Sequence, residues 1–274
     1  MSEKRQKKIA VINDFCGFGR CSIAVELPII SALKVQCCPL PTAIFSNHTA
    51  YESFFCTDFT GKMNNYMSEW KKLNLQFDGI LTGFLGSDAQ IEIVKSFFEG
   101  FKEKGTTVIV DPVMGDEGRL YSNYPVTLAK KMSQLLPFAD IITPNLTEAC
   151  ILTGREYSHD IDTATLYEIC ADLSAMGPEK IVISGIDKGD CLENFVYEKG
   201  KEAVLVKVNK VGPCRAGTGD VFSAIIAADA VNGVSFLSSV KHASGFIEKA
   251  LQKTVEFGLN KADGICFEEI LKEI

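Results

Sequence analysis

Short apolar runs rich in β-branched residues alternate along the chain with longer stretches in which apolar residues recur every three or four positions. The short runs predict buried strands, at 8–13, 77–83, 106–112, 139–144 and 180–185. The longer stretches predict helices, at 20–34, 62–74, 87–105, 125–136, 145–153, 163–176 and 236–251, with another from CRAGTGD to 232. This alternation indicates an α/β fold in which helices cover both faces of a mostly parallel sheet.

Residues 190–208 break this rhythm, because two extended runs flank the turn EKGK. They predict an antiparallel hairpin at one edge of the sheet. No repeat, low-complexity segment or linker interrupts the pattern, so residues 1–274 are predicted to form a single domain.

Composition narrows the function classes. The 274 residues carry a net charge of −7, which argues against a broad nucleic-acid or anionic-membrane surface. No apolar run approaches the length of a membrane span, and the N-terminus is too polar for a signal peptide. The ten cysteines are scattered without a CxxC pair, which predicts free thiols in the cytoplasm rather than disulfides or a metal cluster.

Polar side chains follow the predicted strand 106–112, in the loop DPVMGDEGRLY. Ligands bind beyond the carboxyl ends of parallel strands, and carboxylates there suit Mg²⁺. Asp111 and Asp116 are therefore candidate site residues, together with Glu117 and Tyr121. A solvated acidic loop is the competing interpretation.

The stretch TPNLTEA follows the predicted strand 139–144 and supplies Thr143, Asn145 and Glu148. Asn145 or Thr147 would suit the N-cap of the next helix, with Glu148 in its first turn. Alternatively, Asn145 and Glu148 face the same cleft as Asp111 and orient metal-bound water or phosphate.

Two further stretches near the N-terminus carry polar groups. NDFCGFGRCS lacks the third glycine of a dinucleotide-binding motif and contains no Gly-Lys-Ser/Thr, which disfavours a Rossmann dehydrogenase and excludes a P-loop. FSNHTAYE contains Ser46, Asn47, His48 and Thr49, which could line a pocket for a small polar ring.

The stretch CRAGTGD combines an anion site with a carboxylate. The backbone N–H groups of Gly217, Thr218 and Gly219, at a helix N-terminus, predict a hole for an anion. Asp220 fits beside it as a general base that accepts a hydroxyl proton during phosphoryl transfer. The alternative is an acidic residue that only stabilises the first helical turn.

Five stretches, and their order along the chain, resemble the ribokinase-like superfamily and, within it, the vitamin B6 kinases. They are FSNHTAY, GFLGS, DPVMGDEGRLY, ITPNLTEACILTG and GTGD. The resemblance covers nearly the whole chain. It implies a three-layer α/β/α fold, ATP and Mg²⁺, phosphorylation of a pyridine 5′-hydroxymethyl group, and a homodimer. It leaves open whether a monovalent cation such as K⁺ takes part.

The resemblance also assigns residues. It implies that Asp220 is the base, with Gly217, Thr218 and Gly219 as the anion hole. Positions that match the metal and phosphate sites are Asp111, Thr143, Asn145 and Glu148. Positions expected near the nucleotide are Asp116, Tyr121 and Ser184, and those facing the vitamin are Ser46, His48 and Thr49.

The chain departs from the B6 kinase pattern beside the expected pyridine ring. It has Asn13-Asp14 where many members have Ser-His, and Phe84 where they have Tyr. Both departures bear on the choice among pyridoxal, pyridoxine and pyridoxamine, and Asp14 would favour an amine.

Three alternatives remain at this stage. A hydroxymethylpyrimidine kinase shares the fold but usually carries Cys at the position of Asp220 and lacks the FSNHT cluster. A sugar or nucleoside kinase would need an inserted β lid, for which the chain has little room. A non-catalytic vitamin- or nucleotide-binding protein would be expected to have lost the base.

Overall fold

The computed structural model describes residues 5–121 and 124–274. Its strands are β1 (Lys8–Cys16), β2 (Gln36–Phe45), β3 (Cys56–Asp58), β4 (Gly79–Thr82), β5 (Thr107–Val110), β6 (Gly115–Asp116), β7 (Arg119–Leu120), β8 (Ile141–Ile142), β9 (Lys180–Asp187), β10 (Cys191–Glu198) and β11 (Val204–Asn209). Its α-helices are α1 (Ile23–Ala32), α2 (Thr60–Lys72), α3 (Asp88–Phe101), α4 (Val126–Met132), α5 (Leu146–Thr153), α6 (Thr163–Ala175), α7 (Thr218–Asn232) and α8 (Phe236–Glu256).

Nine strands form one sheet in the order β11-β10-β9-β8-β5-β4-β1-β2-β3. The six strands from β9 to β2 are parallel, which confirms the mostly parallel sheet. The predicted hairpin is also confirmed, as β10 and β11 pair antiparallel at one edge. The short antiparallel strand β3 at the other edge was not predicted, because its three exposed residues carry no apolar pattern.

The alternation of side chains along the strands creates two cores, one on each face of the sheet. Ile9 and Val11 of β1 pack with helices α1, α7 and α8. Ala10 and Ile12 point the other way and pack with α2 to α6. The predicted covering of both faces by helices is thereby confirmed.

Strand β1 differs from its predicted bounds in a way that shapes the site. It continues to Cys16 because Phe15 and Cys16 still pair with β2, but the register shifts between Asn13 and Phe15. A bulge of this kind redirects side chains. Asn13 and Asp14 are both buried at the carboxyl end of the strand as a result.

The loop after β5 also differs from the prediction. Instead of an irregular glycine-rich loop, it folds into the two-stranded hairpin β6–β7. Gly118 supplies the positive φ of 77° that its tight turn needs. The hairpin therefore presents Asp116 and Tyr121 at the same edge of the sheet as the other polar strand ends.

Two sequence expectations concern the whole molecule. All ten cysteines are free thiols, as predicted. Among the helices formed by residues 5–121 and 124–274, none has both the length and the apolar character to span a bilayer.

Candidate active site

A cavity of about 1640 Å³ lies beyond the carboxyl ends of the parallel strands. Among the residues to which the resemblance gives a role, the structure brings all but Ser46 to its walls; Asn47, the neighbour of Ser46, also lies outside this cavity. The residues brought to the walls are Asn13, Asp14, His48, Thr49, Phe84, Asp111, Asp116, Tyr121, Thr143, Asn145, Glu148, Ser184, Gly217, Thr218, Gly219 and Asp220.

Ser46 is the residue that the structure does not bring to this cavity. It lines a smaller neighbouring depression of about 360 Å³. Its hydroxyl donates to Asn47 Oδ1 at 2.6 Å and accepts from the backbone N–H of Phe55 at 2.8 Å. The observed contacts of Ser46 thus hold a turn together.

The predicted anion hole lies at the start of α7. Gly217 is the N-cap residue, with a φ of 82° that favours glycine. A Cβ at this position would overlap the carbonyl oxygen of Arg20, so the close approach of the two chain segments also requires glycine. The first backbone N–H groups of a helix have no intrahelical acceptor, so those of α7 are available to an anion in the cavity.

Asp220 stands in the first turn of α7, beside these N–H groups. Burial raises the pKa of its carboxyl, while hydrogen bonds from the Ser22 backbone and the Asn13 amide lower it. A carboxylate with a raised pKa is a stronger proton acceptor than an exposed one. Asp220 is therefore suited to the role of general base.

Asn13 fixes the surroundings of this carboxylate. Its Oδ1 accepts from the backbone N–H groups of Asp14 at 2.9 Å and Phe84 at 2.8 Å. Its Nδ2 must then face the other way, where it donates to Glu26 Oε1 at 3.0 Å and lies 3.5 Å from Asp220 Oδ1. We call Asn13, Glu26 and Asp220 the base pocket.

Sequence reasoning missed Glu26. The available signal was a single charged residue in the apolar stretch IAVELPII. A Glu in such a stretch is rarely buried without a partner, so its position indicated a specific contact inside the protein.

Asp14 forms the adjoining wall. Its Oδ1 accepts from Ser22 Oγ at 2.7 Å. Burial raises the pKa of Asp14 to about 7, with the hydrogen bond from Ser22 opposing this shift and the charge of Asp220 adding to it. The carboxyl thus changes its protonation state near neutral pH.

Part of the cavity wall is aromatic. Phe84 is half-buried, with its ring centroid 6.3 Å from that of Phe45 and 6.4 Å from that of Tyr124. Burial lowers the pKa of His48, so its imidazole is neutral at neutral pH. A flat heteroaromatic ring with polar substituents suits walls of this composition.

Asp111, Thr143 and Glu148 form a second polar group, which we call the metal pocket. Burial and then the charge of Glu148 raise the pKa of Asp111 well above its ordinary value. Burial raises the pKa of Glu148 to about 8, against the effect of backbone hydrogen bonds that include Asn145 and Met114. The crowded carboxyls would be relieved by a cation.

The donor atoms of the metal pocket fit Mg²⁺. All are oxygens, and Thr143 Oγ1 is buried without a hydrogen-bond partner among the described residues. Across residues 5–121 and 124–274, no three His, Cys, Asp or Glu side chains form a metal-binding group by themselves. Mg²⁺ commonly takes only one or two carboxylates and completes its shell with water and substrate phosphates.

Of the two candidate N-caps, Asn145 and Thr147, the structure shows Asn145 in this position. Asn145 Oδ1 accepts from the Glu148 backbone N–H at 3.0 Å, and Glu148 Oε2 accepts from that of Asn145 at 2.9 Å. Asn145 Nδ2 also donates to Gly115 O at 2.8 Å, and Thr147 Oγ1 accepts from the Gly118 N–H at 2.8 Å. Helix α5 thus holds the β6–β7 hairpin against the cavity.

Ser184 lies on the same side, within β9. Its backbone N–H donates to Pro144 O at 2.9 Å, so β9 stays attached to the chain that follows β8. Ser184 is therefore held close to Asn145 at the edge of the cavity.

A sequence profile of the phosphomethylpyrimidine kinase family matches residues 23–264, which is most of the chain. The chain belongs to this family. The predicted resemblance to ribokinase-like B6 kinases and the three-layer fold are confirmed by this match and by the relatives below.

A Bacteroides thetaiotaomicron protein described as a phosphomethylpyrimidine kinase is similar over the whole chain. It is 37% identical with a TM-score of 0.96, and the match covers 100% of this chain and 95% of that one. A second crystal form of the Bacteroides protein contains pyridoxal.

Two pyridoxal kinases are also similar to the chain described here. The enzyme from Lactobacillus plantarum is 25% identical with a TM-score of 0.89, over 98% of this chain and 96% of that one. The enzyme from Arabidopsis thaliana is 32% identical over 69% of this chain. The match spans 62% of the plant enzyme, so less than two thirds of that relative's length is represented.

Proposed function

We propose that this protein transfers the γ-phosphoryl group of ATP to the 5′-hydroxymethyl group of pyridoxal, pyridoxine or pyridoxamine. The observation that carries the proposal is one cavity that joins Asp220 and its anion hole to the aromatic wall at Phe84. The pyridoxal in a crystal form of the 37% identical Bacteroides protein supports a pyridine as the acceptor.

The vitamer would bind between the aromatic wall and β1. Phe84 would contact the ring face, and His48 and Thr49 offer hydrogen-bonding groups to its substituents. Nδ1 of His48 accepts from the backbone N–H of Ala50 at 3.3 Å, so Nε2–H of the neutral ring is left to donate to a substituent of the vitamer.

The phosphates of ATP would lie between the anion hole and the metal pocket. The N–H groups of Gly217, Thr218 and Gly219 would donate hydrogen bonds that stabilise the negative charge developing on the transferring phosphoryl group. Asp111, Thr143 and Glu148 would hold Mg²⁺, which when bound neutralises phosphate charge. The β6–β7 hairpin, with Asp116 and Tyr121, would cover the nucleotide beside Asn145 and Ser184.

The proton step falls to Asp220. Its carboxylate would take the proton from the vitamer hydroxyl as the oxygen forms its bond to the γ-phosphorus. The bond from that phosphorus to the bridging oxygen of ADP breaks, and ADP leaves. Asp220 then returns its proton to solvent.

Hydroxymethylpyrimidine kinase activity is the second candidate, because the matching family carries that name. The chemistry would be the same on a ring with one more nitrogen. The Asp at position 220 and the FSNHT stretch favour the B6 vitamers.

A panel of acceptors tests the proposal. ADP release would be followed with ATP, Mg²⁺ and each of pyridoxal, pyridoxine, pyridoxamine and hydroxymethylpyrimidine. We expect the largest kcat/KM with a B6 vitamer and no turnover in EDTA. A higher value with hydroxymethylpyrimidine would replace the proposal by the second candidate, and binding without turnover would indicate a non-catalytic protein.

Asp14 bears on the choice of vitamer. Its carboxylate would attract the amino group of pyridoxamine, so D14N should lower kcat/KM for pyridoxamine relative to pyridoxal. An unchanged ranking of the three vitamers in D14N would exclude this role.

The remaining expectations belong to the same proposal. We expect residues 1–274 to act as one kinase domain in the cytoplasm and to form a homodimer, with K⁺ as a candidate activator. Sedimentation analysis and activity with K⁺ or Na⁺ would test the last two. The continuous nine-stranded sheet supports the single domain.

A further inference from the structure

A carboxyl group lies inside the apolar helix α1, behind the catalytic cavity. Glu26 is only 1% exposed, and it does not line the cavity. Burial and then the negative charge of Asp220 raise the pKa of Glu26 well above its ordinary value. The charge of Asp220 thus favours the protonated form of Glu26.

Glu26 makes one side-chain hydrogen bond, to Asn13. Its Oε1 accepts from Asn13 Nδ2 at 3.0 Å, whereas Oε2 has no partner within residues 5–121 and 124–274. A buried polar group with an unused oxygen is less favourable for folding than an apolar side chain of the same size. Stability alone does not account for Glu26.

The bond to Glu26 holds the Nδ2 end of the Asn13 amide. The backbone N–H groups of Asp14 and Phe84 both donate to Asn13 Oδ1, so the Nδ2 end of the amide faces α1 and α7. A Cβ at Gly83 would overlap the amide, so Gly83 closes the third side. The Nδ2 group is thus held between Glu26 Oε1 and Asp220 Oδ1.

We propose that Glu26 is a positioning residue for the base Asp220, acting through the Asn13 amide. Glu26 holds Nδ2 from one side, and Nδ2 fixes one oxygen of Asp220 so that the other faces the acceptor hydroxyl. The inference rests on the proposed kinase function. It assigns a role in the reaction to a residue that does not touch the substrate.

Two substitutions separate positioning from simple filling of space. E26Q keeps a neutral side chain with an oxygen that accepts from Asn13. E26L has a similar size but no acceptor, and it removes the unpaired polar oxygen. We expect E26L to fold with a melting temperature within a few degrees of the wild type, because loss of the unpaired Glu26 oxygen offsets loss of the bond from Asn13 Nδ2.

Kinetics provide the first test. E26L should lower kcat about tenfold, with KM for ATP and vitamer within about twofold of the wild type, because only the orientation of the base is lost. E26Q should retain kcat within about twofold. A wild-type kcat in E26L, or an equal loss in folded E26Q, would overturn the proposal.

A spectroscopic test does not depend on turnover. The ¹⁵N–¹H signals of the Asn13 side chain can be assigned by their absence in N13D. The amide protons that give these signals should exchange slowly with solvent in the wild type and E26Q. In E26L they should exchange at least about tenfold faster. Unchanged exchange in E26L would refute the positioning role, even if no acceptor were turned over and the proposed function itself had failed.

Discussion

The base pocket and the metal pocket both place carboxyl groups inside one cavity, but they manage the charge differently. In the base pocket, an amide stands between the carboxyls of Glu26 and Asp220. In the metal pocket, burial and the charge of Glu148 raise the pKa of Asp111, burial raises the pKa of Glu148, and the nearby Thr143 hydroxyl has no partner among the described residues.

This difference indicates two ways to keep negative charge where a reaction needs it. In the base pocket, the Asn13 amide contacts both carboxyls, and burial and the charge of Asp220 favour the protonated form of Glu26. In the metal pocket no positive charge balances the two carboxyls among the described residues. We therefore expect this pocket to bind a cation that is supplied together with ATP. The predictions below separate the two pockets.

Loss of the base should have the largest effect. D220N removes the proton acceptor and is expected to lower kcat about a thousandfold or more. ATP binding, measured by calorimetry, should stay within a few-fold of the wild type, and the dependence on free Mg²⁺ should not change. A shift in Mg²⁺ dependence would mean that the two pockets are not separate.

Loss of a metal-pocket carboxylate should come next. D111N is expected to lower kcat/KM about a hundredfold and to raise the Mg²⁺ concentration that gives half-maximal activity. Without Mg²⁺ its melting temperature should exceed that of the wild type by a few degrees, because one crowded carboxyl is gone.

The control for D111N is D160N, which changes an exposed aspartate that does not line the cavity. It should behave as the wild type in both assays. If D111N matched D160N in its response to Mg²⁺, the metal pocket would be wrongly assigned.

A methyl group beside the Asn13 amide should have a smaller effect. G83A places a Cβ against that amide and is expected to lower kcat about tenfold, with little change in Mg²⁺ dependence. G86A is the matched control in the same loop, since its Cβ would meet only ordinary contacts of 3.6 Å or more. Equal activity of the two variants would contradict the account of the base pocket.

The last effect concerns stability and pH and leaves catalysis aside. The folded protein raises the pKa of Asp14 from 3.8 to about 7, so its protonated form is favoured on folding. The resulting stabilisation is complete below about pH 4 and is lost as the pH rises through about 7. The free energy of unfolding of the wild type should therefore fall across this window by at most about 4 kcal/mol more than that of D14N. Urea unfolding at several pH values would measure it, and parallel curves would contradict the shift.

The sequence predicted the parts of the site that depend on local pattern. Strand ends locate Asp111 and Thr143, and a glycine-rich helix start locates Asp220, since parallel strands end at the same edge of a sheet. The capping of α5 by Asn145 also follows a local pattern, since Asn145 precedes Glu148 by three residues.

Contacts between distant segments were not predictable in this way. The Asn13 to Glu26 bond requires both the bulge in β1 and the start of α1 at Ile23, after Ser22 adopts a positive φ of 55°. The place of Ser46 depends on a turn that directs it away from its neighbours in sequence. Neither feature has a signature in residue spacing.

The central claim is that the cavity transfers phosphate from ATP to a pyridine hydroxymethyl group with Asp220 as base. Identification of the product by ³¹P NMR and mass spectrometry, for the wild type and D220N, tests it most directly. We expect the wild type to form a 5′-phosphomonoester of a B6 vitamer together with one equivalent of ADP, and D220N to form neither at a comparable rate. Release of inorganic phosphate without the phosphomonoester, or equal product from D220N, would contradict the account.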